Sequence, residues 1–201
     1  MRSDLSRRSF LRGSALTTAG ATMVNATSAF VQAKAADAGS AATAAADLVT
    51  ITLQINDAAQ TVQVEPRATL AEVLRGVLHL TGTKIACNRG ACSACTVLLD
   101  GSPVCSCMML AVDVGERRVT TIEGLAQGDT LHPVQQAFID YDALQCGFCT
   151  PGMVMSCAAL LKRIPEPTAD DVRGAISGHY CRCGTYPHVV EATLAAAKAR
   201  G

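Results

Sequence analysis

The sequence predicts an α+β chain, a sheet-forming half followed by a small helical half, and three observations carry that reading. From Leu48 onward apolar residues recur at every second position, the period of a half-buried strand. After Gly124 the spacing lengthens to that of helices, each opened by a start such as His132-Pro133 or Thr150-Pro151. The chain also has 10 cysteines in 201 residues, and most of them fall into two spaced sets, one in each half.

Composition narrows the function classes. With 3% aromatic content and no Trp, the cores must be aliphatic. A net charge of +0 and a pI of 6.9 provide no basic stripe for neutralising phosphates, which argues against a nucleic-acid partner. The balance is uneven along the chain. Arg2, Arg7, Arg8, Arg12 and Lys34 face only Asp4 in the first 35 residues, so the remainder is acidic. Ser6 to Gly13, SRRSFLRG, sets two arginines ahead of Phe10 and Leu11, and a weakly apolar run follows from Ala15 to Val31. Ala33-Lys34-Ala35 supplies a small-x-small cleavage pattern, making Ala36 the expected first mature residue. The run is too diluted with polar residues for a membrane anchor, so no span is expected in the mature chain. This segment resembles a twin-arginine (Tat) signal, which implies export to the periplasm of a protein already folded. Such a route suits the cysteines, since thiols exported unfolded into an oxidising compartment pair as disulfides.

Each element has its own local cause. Residues 36–47 form an Ala/Gly/Ser/Thr spacer. VTITLQIN puts Val49, Ile51, Leu53 and Ile55 on one face of a strand; Asn56-Asp57-Ala58 turns it, and Thr61 to Pro66 returns. Thr69 with Glu72 is a capping box opening a helix whose apolar face is Leu70, Val73, Leu74 and Val77. CTVLLDGSPVCSC reads as strand, Asp100-Gly101 turn and strand, and Arg117 to Gly124 as a last strand. Two hairpins, a crossover helix and a closing strand match the β-grasp arrangement of plant-type ferredoxins. Beyond Gly124, His132-Pro133 opens a helix to about Ala143, with Val134, Ala137, Phe138 and Tyr141 on one side. Thr150 is an expected N-cap with Pro151 following, for a helix through Lys162. Thr168 with Asp171 restarts the chain through Ile176, and Thr185 or Pro187 begins the last helix, to about Ala197. Four short helices suggest a bundle with cysteines at its ends. The expected domains are 48–123 and 124–201.

The first cysteine set is CNRGACSAC, Cys87, Cys92 and Cys95, with Cys107 beyond. The spacing C-x4-C-x2-C with a distant fourth is that of the plant-type [2Fe–2S] loop. Zinc sites come as paired C-x2-4-C knuckles, whereas here the first gap is four and three cysteines share one short loop, whose small or polar intervening residues can aim backbone N–H groups at sulfur. Cys105, two residues before Cys107, offers an alternative fourth ligand at this level of reading. The second set is Cys146 and Cys149 in QCGFC with Cys181 and Cys183 in YCRC; alone it would also suit zinc, and beside the first loop it points to a second cluster. Cys157 lies on an apolar helix face and reads as a core residue. His79, His132, His179 and His188 form no ligand constellation, although His179 and His188 flank the last cysteines as if toward an interface. No Gly-rich phosphate loop stands between a strand and a helix, so no nucleotide is expected on this chain.

The segments TGTKIACNRGACSACTVLLDG, SCMMLAV, TIEGLA, LHPVQQAFI, QCGFCTPGMVMS and SGHYCRCGTYPHVVEA, from Val49 to Ala192, resemble the iron–sulfur subunit of the molybdenum hydroxylase (xanthine dehydrogenase/aldehyde oxidoreductase) family. The resemblance implies a β-grasp domain with one [2Fe–2S] cluster held by Cys87, Cys92, Cys95 and Cys107. It implies a helical domain with a second, held by Cys146, Cys149, Cys181 and Cys183. It makes Cys107 the fourth ligand of the first cluster and Cys105 an extra, and it places Gln145 beside the pterin. It further implies a large molybdopterin-binding partner subunit and, as acceptor, an FAD-binding subunit or a cytochrome. This chain itself would bear no substrate site. A free-standing ferredoxin-like carrier is the alternative, but needs no second cluster; a zinc-stabilised interaction module would be colourless. Ser93 stands where the family usually has Gly, and in a left-handed conformation that would cost ~1 kcal/mol.

Overall fold

A computed structural model describes residues 47–199, so the export segment, its cleavage pattern and all of the spacer but Asp47 lie outside the described residues. Strand β1 (Val49–Ile55) and strand β2 (Ala58–Val64) pair antiparallel with Ile55 opposite Ala58. The loop is therefore two residues, Asn56 and Asp57, with φ of 50° and 63°. Asn and Asp tolerate that left-handed backbone, and such a turn follows the natural strand twist. Ala58, expected in the turn, is already paired, and β2 ends at Val64 rather than Pro66.

Helix α1 (Leu70–Glu72) carries the expected capping box, with Thr69 accepting from the Glu72 amide and Glu72 accepting from the Thr69 amide. It widens at once into a π-helical turn (Val73–Val77) closed by Leu78 N–H to the Val73 carbonyl. The wider turn keeps Leu70, Val73 and Leu74 buried and swings Val77 outward to 45% exposure, against the expected face. Strands β3 (Thr96–Leu99) and β4 (Ser102–Cys105) form the second hairpin on Asp100 and Gly101, again both at positive φ. Strand β5 (Arg118–Thr120) closes the sheet in the order β2-β1-β5-β3-β4, parallel to β1 and antiparallel to β3. This mixed sheet with its covering helix is the β-grasp arrangement expected.

The helical half has α2 (Pro133–Asp140), α3 (Thr150–Arg163), α4 (Ala169–Ala175) and α5 (Tyr186–Lys198). His132 Nδ1 accepts the Val134 amide and caps α2, while Thr168 and Asp171 form the capping box of α4. Two expectations change. Helix α2 ends at Asp140, so Tyr141 leaves its buried face and is 43% exposed. Cys149, not Thr150, is the N-cap of α3, with Pro151 in its first turn. The last helix begins at Tyr186, with Thr185 as its N-cap.

One core lies between α1 and the sheet, around Leu53, Leu70, Leu74, Val97 and Val119; another lies among the helices, around Phe138, Met153, Cys157 and Leu161. Cys157 is fully buried there, as expected of a core residue. A third, small cluster joins the halves: Leu98 of β3 packs on Met155 and Ala159 of α3, with Ile122 and Leu125 alongside. All four residues of β3 are buried, the three apolar ones, Val97 to Leu99, running without a break on both faces, and the Thr96 hydroxyl is satisfied by the Ser93 carbonyl.

Candidate iron–sulfur centres

The loop from Cys87 to Cys95 is shaped by left-handed residues: Asn88 at φ 48°, Gly90 at 72° and Ser93 at 55°. Ser93 does occupy the conformation that favours glycine. Such backbone turns N–H groups inward and builds an anion-binding concavity. The Ala91 amide donates to Cys87 Sγ at 3.3 Å and the Gly90 amide to Cys107 Sγ at 3.3 Å. Amides of Arg89, then the Cys92 thiol, and the amides of Ala91 and Cys92 bring the Cys87 thiol down to about 7.

The far end of the site is held by β3 and β4. Ser106, fully buried, donates its hydroxyl to the Cys95 carbonyl at 2.7 Å, and Thr96 donates its hydroxyl to the Ser93 carbonyl at 2.7 Å. The Leu70 amide donates to the Met109 carbonyl, tying α1 to the segment that carries Cys107. Ala71 of α1 packs directly on Cys95 and Cys107, with Ile85 and Cys105 at the edge. Burial, then interaction with Cys107, pushes the Cys95 thiol up to about 12. Cys95 and Cys107 pack together beneath Ala71, and Cys87 and Cys92 share the loop that precedes them. That arrangement fits a binuclear cluster, which takes two thiolates on each of two irons. It does not ask three side chains to converge on one ion, and among the described residues no three His, Cys, Asp or Glu side chains do so.

The second set lies at the start of α3. Gly147, at φ 79°, turns the chain between Cys146 and Cys149, and Cys149 sits at the helix N-terminus, where the amide dipoles favour a thiolate. Burial, then the Cys181 thiol, pushes Cys149 up to about 12. On Cys181 burial acts upward but is outweighed by the Thr185 hydroxyl and amide, leaving it at about 7. Cys183 follows in the same turn, which the Gly184 amide closes onto the Cys181 carbonyl. Cys146 and Gln145 are both exposed, beside Leu144 and Phe148. Thiols held as high as Cys95 and Cys149 are protonated at neutral pH, so metal loading must release their protons.

The two sets are joined directly. The Tyr180 amide, one residue before Cys181, donates to the Cys92 carbonyl at 3.3 Å. Gly152 in α3 lies so close to the first loop that a Cβ there would stand 2.4 Å from the Ser93 carbonyl oxygen. His179, expected to flank an interface, is instead 3% exposed, with Nε2 2.8 Å from the Ser156 hydroxyl. Burial holds its imidazole down to about 4, and therefore neutral. Tyr186 completes the arrangement, donating its hydroxyl to the His179 carbonyl and accepting the Cys181 amide. The parts played by Gly152 and Tyr186 had no place among the sequence expectations, and His179 was expected at a surface. A glycine inside a helix, costing roughly 0.5–1 kcal/mol against Ala, was the available sign.

Comparison with known proteins agrees with this geometry. A family model described as "2Fe-2S iron-sulfur cluster binding domain" matches residues 53–129, and one described as "[2Fe-2S] binding domain" matches residues 121–194. A third, "TAT (twin-arginine translocation) pathway signal sequence", matches residues 4–24. The aldehyde oxidoreductase iron-sulfur-binding subunit PaoA of Escherichia coli (strain K12) is 40% identical over 94% of this chain and 86% of its own length. The nicotine 6-hydroxylase small subunit of Paenarthrobacter nicotinovorans is 47% identical over 74% of this chain and 89% of its own. The solved structure of quinoline 2-oxidoreductase from Pseudomonas putida 86 aligns with a TM-score of 0.74 at 44% identity, covering 77% of this chain and 98% of that one. The fold and the paired domains define a protein with two [2Fe–2S]-binding domains, one β-grasp and one helical. The chain belongs to the iron–sulfur subunits of the molybdenum hydroxylases, multi-subunit oxidoreductases, rather than to the free-standing ferredoxins. It carries a twin-arginine export signal, and no helix among the described residues is long and apolar enough to cross a membrane.

Proposed function

We propose that this chain carries electrons within an exported molybdenum hydroxylase that oxidises an aldehyde or an N-heterocycle. Cys87, Cys92, Cys95 and Cys107 would hold the first [2Fe–2S] cluster, and Cys146, Cys149, Cys181 and Cys183 the second. The observation that carries the reading is the hydrogen bond from the Tyr180 amide to the Cys92 carbonyl, which links the two cysteine sets without an intervening side chain. When bound, each [2Fe–2S] cluster supplies one-electron chemistry. The chain's own part is to hold the sulfurs. Amides on Cys87 and Cys107 stabilise added negative charge, and Gly152 keeps the helix and the first loop at a set separation. The exposed surface of Leu144, Gln145, Cys146 and Phe148 suits docking of the molybdopterin-binding subunit, with Gln145 directed to the pterin. The acceptor would be an FAD-binding subunit or a cytochrome. The two domains divide near Gly124, and the mature chain starts at Ala36 in the periplasm. Aldehyde or N-heterocycle as substrate class follows the names of the relatives, an aldehyde oxidoreductase, a nicotine hydroxylase and a quinoline oxidoreductase.

The test is iron and acid-labile sulfide per chain, with EPR of the dithionite-reduced protein. About four irons and two rhombic signals are expected. Zinc in the second site, or about two irons with one signal, would overturn the proposal.

A further inference from the structure

Two residues near the first loop that the cluster ligation does not use, Ser93 and Cys105, are brought together by the fold: Ser93 Oγ lies 3.8 Å from Cys105 Sγ. Cys105 is half-buried at the end of β4, at the rim of the cluster that contains Cys95 and Cys107. Its Sγ donates to the Gly90 carbonyl oxygen at 3.9 Å. That oxygen belongs to the same peptide group as the Ala91 amide, which donates to Cys87 Sγ at 3.3 Å. The groups therefore run in series: Cys105 S–H, the Gly90–Ala91 peptide, and the Cys87 sulfur.

Gly90 also separates the roles of the two neighbouring thiols. Its N–H donates to Cys107 Sγ at 3.3 Å, while its carbonyl oxygen accepts from Cys105 Sγ at 3.9 Å. Hydrogen bonds in a chain polarise one another, so a donor on the Gly90 oxygen makes the Ala91 N–H a stronger donor to sulfur. N–H groups on cluster sulfurs stabilise the more negative, reduced state and raise the reduction potential.

We propose that Cys105 is a positioning residue that sets the potential of the first cluster through the Gly90–Ala91 peptide, with the Ser93 hydroxyl orienting its thiol. This rests on the reading that Cys87, Cys92, Cys95 and Cys107 hold that cluster. Cys105 touches no iron; its effect reaches Cys87 by way of the backbone.

The experiment is an EPR-monitored redox titration of the iron-loaded full chain, unsubstituted and as Cys105→Ala and Cys105→Ser, with the second cluster as internal reference. Cys105→Ala should move the first midpoint to a more negative potential and leave the second in place. Cys105→Ser, which keeps a hydroxyl donor, should restore most of the shift. Should the alanine variant fail to accumulate, Cys105→Val carries the same comparison. An unmoved first midpoint would overturn the inference. Equal shifts in the alanine and serine variants would also do so, since lost packing alone would then suffice. Loss of the first signal in Cys105→Ala, with the second intact, would make Cys105 a ligand and refute the role proposed. Absence of the first signal from the unsubstituted chain would sink the cluster assignment itself, and this inference with it.

Discussion

Cys95→Ala should abolish the first [2Fe–2S] signal and lower iron from about four to about two atoms per chain, leaving the second signal intact. Cys95 is 2% exposed, meets the Cys107 thiol and immediately precedes β3, so no solvent ligand can take its place without opening that end of the sheet. The sheet itself should survive, because the side chain removed is small and the hydrogen bond from Ser106 reaches the Cys95 carbonyl, not its sulfur. Stability will still fall, since metal-binding energy in such a loop is also folding energy. Iron analysis with EPR checks this, and four retained irons would remove Cys95 from the ligand set.

Gly152→Ala should destabilise the chain by about 1–3 kcal/mol, the usual cost of overpacking a close contact. The new Cβ would lie 2.4 Å from the Ser93 carbonyl oxygen and 3.3 Å from that of Ala94. Both are backbone atoms of the first cysteine loop, which cannot swing aside as a long side chain can. Gly174→Ala is the control: it also lies in a helix, has nothing within 4 Å of its Cβ position, and should be neutral or slightly stabilising. Denaturant melts of the full chain compare the two. Equal midpoints would mean that the contact between α3 and the first loop yields freely.

Much of this was legible in the chain because local chemistry is decisive where it is specific. Asn56-Asp57 and Asp100-Gly101 marked both hairpins, since few residues tolerate consecutive positive φ angles. Thr69 with Glu72, and Thr168 with Asp171, marked two helix starts to the residue. The cysteine spacings located both candidate sites. What escaped depends on packing between parts distant in sequence. The π-helical turn that exposes Val77 has no periodic signal of its own. His179 is buried because Ser156, on another element, receives its ring, and spacing along the chain carries no word of that. Ser93 and Cys105 could each be singled out in the sequence, but only the fold shows that they are neighbours.

The bond between the Tyr180 amide and the Cys92 carbonyl has a consequence for hydrogen exchange. Tyr180 is 66% exposed and sits in a loop, where backbone amides ordinarily trade protons with water quickly. Its N–H, however, is held by the Cys92 carbonyl across the junction of the two halves, which the packing of Leu98 on Met155 and Ala159 also closes. Protection at Tyr180 should therefore match that of buried amides in β3 and α3. A single surface proton would then report whether the two halves ever open independently.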